Sequence, residues 1–175
     1  MGVPVEQAGL WRVGGITVFP EFGFTRPNDT TQYTAADVVS GNTELARLRN
    51  CVRVPGGSGL LYSGLMWAST DAATNPNFDV VLFDTTQITL AADNAAGTVA
   101  DAEALRQVAV ITFDGTVAAN VTTTGANLMI RATAVGQGFK CAEGQTDLWA
   151  VVIDRGAYTP AALEQFRFRL CILQD

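Results

Sequence analysis

The side chains best able to do chemistry in this sequence are its carboxylates. Glu21, Glu44, Glu103, Glu143 and Glu164, with the aspartates, are the candidates for the acid–base pair of a glycoside hydrolase. That chemistry needs two carboxyls facing one cleft, roughly 5–10 Å apart. Each of these residues stands beside a turn signal or on the polar face of a strand pattern, where solvation alone accounts for it. The loop DNAAGTVADAE gathers Asp93, Asn94, Asp101 and Glu103, oxygen donors of the kind calcium accepts, but their spacing fits no EF-hand and no metal is assigned. Histidine is absent, which removes Ser-His and Cys-His nucleophiles and the usual zinc ligation. GGSGL has Leu60 where a nucleophile elbow needs its second glycine, and VGQGFK has Cys141 where a phosphate loop needs one. No catalytic residue and no cofactor is expected.

The arginines carry more information. Ten arginines stand against a single lysine, Lys140, and arginine's planar fork pairs well at interfaces. In RLRNCVRV, alternation sets Arg47, Arg49 and Arg53 on the face opposite Leu48, Val52 and Val54. In FRFRLCIL it sets Arg167 and Arg169 opposite Phe166, Phe168, Leu170 and Ile172, with Cys51 and Cys171 on the arginine faces. Were these two strands neighbours, a basic face would appear on an acidic protein. It would serve either to dock an acidic protein partner or to keep edge strands from aggregating.

Those residues must be positioned by strands. FDVVLFD (78–84), QVAVITFD (107–114) and NLMIRAT (127–133) are rich in β-branched and aromatic residues. GLLYSGLMWAS (59–69) and LWAVVID (148–154) are apolar on both faces, which predicts central strands with Trp67 and Trp149 in the core. Turn formers separate the segments: PGGSG (read as a hairpin turn), TNPN, FDG, VGQG and AEGQ. One short helix is expected in a connection, around DAEALRQ (101–107). The tetrapeptide TAAD, Thr34 to Asp37, imitates a helix N-cap box, but only six residues would follow before Gly41, too few to nucleate a helix. The better reading is a turn at Pro27–Asp29, Tyr33 as an anchor, a second turn through Ala36-Asp37, and a short edge strand at Val38-Val39. The fold predicted is all-β: a two-layer antiparallel β-sandwich of jelly-roll type, with residues 1–23 as an N-terminal arm and 24–175 as the domain.

Composition narrows the class. The 175 residues suit one domain; 48% are apolar and only 16% charged, a low charge for a free monomer's surface. A net charge of −6 argues against a nucleic-acid partner. No run reaches the length of a membrane span, and the start lacks a signal-peptide pattern. Three scattered cysteines fit reduced thiols in a chain folded in the cytoplasm of its host.

Certain motifs resemble a known family. FTRPNDTTQYTAADVV, VPGGSGLL, the VVLFD strand with its DNAA loop, and DRGAYTPAALEQFRFRLCILQD are similar to small virion proteins of tailed bacteriophages, found among head and other structural genes. The likeness runs from about Phe24 to Asp175, and its anchors include Arg26-Pro27, Asp29, Tyr33, Asp37, Gly57-Ser58-Gly59, Arg155 and Tyr158. Relatives often carry glycine where this chain has Ala36. The resemblance implies a virion component, a decoration (cement) protein on the capsid exterior. Its partners would be the major capsid protein and copies of itself, as trimers in the first instance. A receptor- or carbohydrate-binding module of a tail or head fibre, stacking sugars on Trp11, Trp67 or Trp149, is the alternative.

Overall fold

The computed structural model describes residues 15–41, 45–70, 75–117, 119–120, 127–132 and 136–175. The strands are β1 (Ile16–Val18), β2 (Glu21–Thr25), β3 (Ala46–Leu48), β4 (Ser58–Ala68), β5 (Phe78–Phe83), β6 (Gln107–Phe113), β7 (Ala119–Asn120), β8 (Leu128–Ala132), β9 (Gln137–Lys140), β10 (Leu148–Asp154) and β11 (Gln165–Gln174). A single helical turn, α1 (Asp101–Ala104), sits in the connection where a short helix was expected, and a 3₁₀ turn covers Gly115–Val117.

All pairing is antiparallel and falls into two sheets. The larger runs β2-β11-β4-β8, with β1, β9 and β7 as extensions, and the smaller runs β3-β10-β5-β6. With β1–β2 and β7–β9 each counted as one broken strand, the chain changes sheet at every step except from β5 to β6, and the C-terminal strand returns to lie beside the first, which is the double Greek key of a jelly roll. The sandwich prediction holds, and so does the placing of β4 and β10 inside their sheets.

The interior follows the period of two. Phe166, Phe168, Leu170 and Ile172 of β11 point inward with Leu61 and Met66 of β4, facing Phe78, Val80, Leu82, Ile111, Phe113, Ala150 and Val152 of the small sheet. Phe22 stacks on its neighbour Phe168 within the large sheet at 4.7 Å, and Phe113 of the small sheet meets Phe168 edge-on at 5.5 Å across the layers. At Gly64 the sheets approach closely, because a Cβ there would lie 2.8 Å from Ile111 Cδ1 and 2.9 Å from Phe113 Cζ.

The large sheet bends at one level across four strands. Tyr62 bulges out of β4 where the register jumps from Cys171↔Ser63 to Ile172↔Leu61. At that level β1 gives way to β2 through Phe19-Pro20, both paired with β11, and β8 gives way to β9, both paired with β4. Proline has no N–H to give to a ladder, which suits it to such a break.

Several expectations need correction. RLRNCVRV is not one strand: β3 ends at Leu48, and Asn50 takes φ +54° with its amide donating to Asp147 Oδ1 at 2.8 Å. The turn swings Cys51 into the core and leaves Val54 exposed, so the alternation fails after Leu48. PGGSG is not a hairpin turn, because β3 and β4 belong to different sheets; it is the crossing between layers. The boundary after residue 23 falls inside β2, whose ladder with β11 joins that segment to the sandwich. Trp149 is buried, but Trp67 lies on the outer face of the large sheet. Trp11 and Glu44 lie outside the described residues.

TAAD forms no helix. Asp37 N donates to Thr34 O at 3.0 Å, closing a turn with Ala36 at φ +76° in its third position. A type II turn demands that conformation and favours glycine there. The edge strand at Val38-Val39 is reduced to single bridges, Asp37↔Ala96 and Val38↔Ile153.

Candidate functional site

Four of the residues that carry the family resemblance meet in one buried network. The Arg26 guanidinium is fully enclosed; it donates from Nε to the Tyr33 hydroxyl and from Nη2 to both Asp29 Oδ1 (3.3 Å) and Asp93 Oδ2 (3.1 Å). Tyr33 in turn donates to Asp93 Oδ1 at 2.6 Å, an oxygen that also accepts Ser40 N at 2.8 Å. The ring of Tyr33 lies under Arg26, 4.6 Å from centroid to guanidinium carbon, and stacks on Tyr158. Tyr158 donates to Glu164 Oε2 at 2.7 Å, and Thr70 caps the other oxygen at 2.6 Å. Burial favours a neutral Arg26, but Tyr33 and Asp93 outweigh it and hold the pKa above its ordinary value. Burial drives the Tyr33 and Tyr158 hydroxyls upward, so both remain donors.

This network pins loops to the sandwich. It joins the segment after β2, the loop before α1 and the turn before β11, with Tyr33 N bonded to Tyr158 O and Arg26 N to Glu164 O, both at 2.9 Å. Asp93 and Glu164 are the partners that sequence reasoning missed in this role. Both were candidates for other chemistry, and no local signal joins Asp93 to Arg26, 67 residues away.

Asp37 sits beside this network without joining it. Its Oδ2 accepts Thr34 N at 2.6 Å and Thr34 Oγ1 at 2.9 Å, holding the turn. Next to it, Asp154 is buried, and neither of its oxygens has a hydrogen-bond partner among the described residues. Burial pushes Asp154 up to about 7 and Asp37 adds to the rise, while the amides of Arg155 and Gly156 favour the anion only weakly from outside bonding geometry. Arg155 is turned away to Asp79 at 3.5 Å.

Among the described residues the carboxylates form no acid–base pair over a cleft. Glu21 pairs with Arg169, Asp147 with Arg47, and Asp84 with Arg106 at 2.7 Å; Glu103 holds Thr89 N at 3.0 Å. Clefts of about 620, 230 and 120 Å³ have no Asp or Glu in their linings. The donors of the 93–103 loop do not converge, because Asp93 turns inward to Arg26 while Glu103 caps α1. Burial pushes the Cys51 thiol up to about 12 and Cys141 up to about 11, which leaves neither nucleophilic.

The arginines separate into two places, since β3 and β11 lie in different sheets. Arg47 caps Asp147, while Arg49 and Arg53 are exposed after β3. Arg167 and Arg169 join residues that the sequence did not link to them. One cross-strand row runs Gly23, Arg167, Trp67, Met129, and the next runs Glu21, Arg169, Leu65, Arg131. Arg169 packs over the Trp67 ring at 5.3 Å and binds Glu21. The signal was available only through register, which sets Trp67 opposite Arg167.

No family model and no curated protein sequence matches the chain. Solved structures similar to it include the capsid of Ralstonia phage GP4, at TM-score 0.41 and 18% identity over 100% of this chain and 92% of that one. The capsid asymmetric unit of cyanophage Pam1 gives 0.39 and 15% over 100% and 93%. Tomato aspermy virus gives 0.33 and 10% over 97% and 86%. At such scores the fold assignment rests on the chain's own strand order and register.

Proposed function

We propose that this chain is a bacteriophage virion structural protein, a decoration protein on the capsid exterior that binds the major capsid protein and stabilises the head. The observation that carries this reading is the convergence of Arg26, Asp29, Tyr33 and Tyr158. Motif residues scattered over more than a hundred positions make one structural unit in this chain, which supports the resemblance. That unit fixes loops and holds no reactive group, which suits a protein that works by adhesion.

The acidic balance favours a place outside the shell over one against packaged DNA. Contacts that exist only in the assembled particle stabilise it by mass action, and symmetric clusters, trimers first, would present several such contacts at once. Carbohydrate binding is the weaker reading, because Arg169 already covers one face of Trp67 and Trp149 is buried.

The test is to purify particles, locate the protein by electron cryomicroscopy, strip it off and add it back. Stripped heads should lose resistance to heat or low salt and recover it on re-addition. Absence from purified particles, or unchanged head stability after clean removal, would overturn the proposal.

A further inference from the structure

The two sheets are covered unequally. The outer face of the small sheet is closed: Val81, Phe83, Val151 and Ile153 pack beneath Val38, Leu45, Ile88, Leu90 and Ala91 from the connecting loops. Above the bend, the outer face of the large sheet has no such cover among the described residues. Trp67, Leu65 and Met129 stand there only partly buried, and Phe19 is 59% exposed. Two clefts of about 620 and 230 Å³ lie side by side on this face and share Arg169.

Charge separates this patch from the rest of the molecule. Arg131, Arg167 and Arg169 surround Trp67 and Leu65 through the cross-strand rows, with Glu21 as the one carboxylate in those rows, while the whole chain carries −6. Arg131 and Arg167 are exposed and make no ion pair among the described residues. Neighbouring strands lie about 4.8 Å apart and residues rise about 3.4 Å along them, so Arg131 on β8 and Arg167 on β11, two strands and one row apart across β4, stand roughly 12 Å apart. Tryptophan, methionine and arginine are enriched at protein interfaces, and here Trp67 and Met129 stand with Leu65 among planar cations.

We propose that this face docks a protein segment that sets a large apolar side chain on Trp67 and Leu65 and carboxylates on Arg131 and Arg167. The arginine forks fix the segment's register through paired hydrogen bonds, and the apolar centre supplies the affinity. Only the identity of the protein that provides the segment rests on the virion reading.

The test uses the full chain and two kinds of target. In the first arm, a random copolymer of glutamate and tyrosine is titrated while tryptophan fluorescence and calorimetry are followed. Binding should occur, weaken with ionic strength, and fall about tenfold or more in Trp67→Ala and in Arg131→Glu/Arg167→Glu. Arg49→Glu/Arg53→Glu should bind as the unsubstituted protein does. Circular dichroism and melting check that each variant is folded, and the exposed arginine pair keeps the test open should Trp67→Ala unfold. In the second arm, the same variants are added to stripped heads. Occupancy lost only by the Trp67 and Arg131/Arg167 variants supports the proposal. Equal occupancy by all variants would overturn it, as would tighter binding of oligothymidylate than of the copolymer, or a self-association that the Arg131/Arg167 variant abolishes. Copolymer binding without any head binding would leave this face standing and remove the virion reading.

Discussion

Arg26→Ala should unfold the loop framework more than any exposed charge change in the molecule. The guanidinium is enclosed and bonds Tyr33, Asp29 and Asp93, whose own side chain is only 14% exposed. Truncating one partner of a buried ion pair costs about 3–5 kcal/mol, because the other charge stays buried without its counterion. Asp93 would retain Tyr33 Oη and Ser40 N as donors, so the lower end, ~3 kcal/mol, applies here. For a domain of this size that lowers the Tm by roughly 6–12 °C. Chemical and thermal denaturation of Arg26→Ala, Asp93→Asn and the double variant would measure it. The two changes should couple by more than about 1 kcal/mol, the double variant being more stable than the sum of the single losses implies. An Arg26→Ala protein within about 1 kcal/mol of the parent, or additive changes, would refute the claim that this network pins the loops.

The remaining predictions concern single positions. Asp154 has a folded pKa raised from 3.8 to about 7, so between those values the folded state holds a proton that the unfolded state has lost, and stability declines as pH rises through that window. Asp154→Asn should flatten this decline, seen as a smaller fall in Tm from pH 5 to pH 8 than in the parent; an equal fall in both would refute the assignment. Ala36→Gly should stabilise by about 1 kcal/mol, because an L-residue at φ +76° carries a strain that glycine lacks; a lower midpoint in urea would contradict it. Gly64→Val should destabilise by roughly 1–3 kcal/mol, since its side chain would enter space held by Ile111, Phe113 and Leu170, and an unchanged Tm would show that the sheets can part there.

Strand identity was legible because it depends on a local period. The alternation in FRFRLCIL is the burial pattern of β11, and the two-faced apolar runs became the inner strands β4 and β10. The turn at Thr34–Asp37 could be read from length and β-branched content alone, for a helix that short cannot meet its nucleation cost. RLRNCVRV misled because its alternation continues across a residue that leaves the β region. Asn50 does so because Asp147, nearly a hundred positions later, accepts its amide.

The sequence by itself determined the class: strands of period two, few charges and turn chemistry between segments leave an all-β sandwich, and with no histidine there is no histidine-based nucleophile. Tertiary structure alone decided which polar residues meet. Asp93 and Glu164 looked like solvated carboxylates and are counterparts to Arg26 and Tyr158, while Trp67 looked like core and lies among arginines on the open face. The physical reason is range. Periodicity is set by backbone geometry within a few residues, whereas hydrogen-bond partners and cross-strand neighbours are chosen by register between segments far apart in the chain.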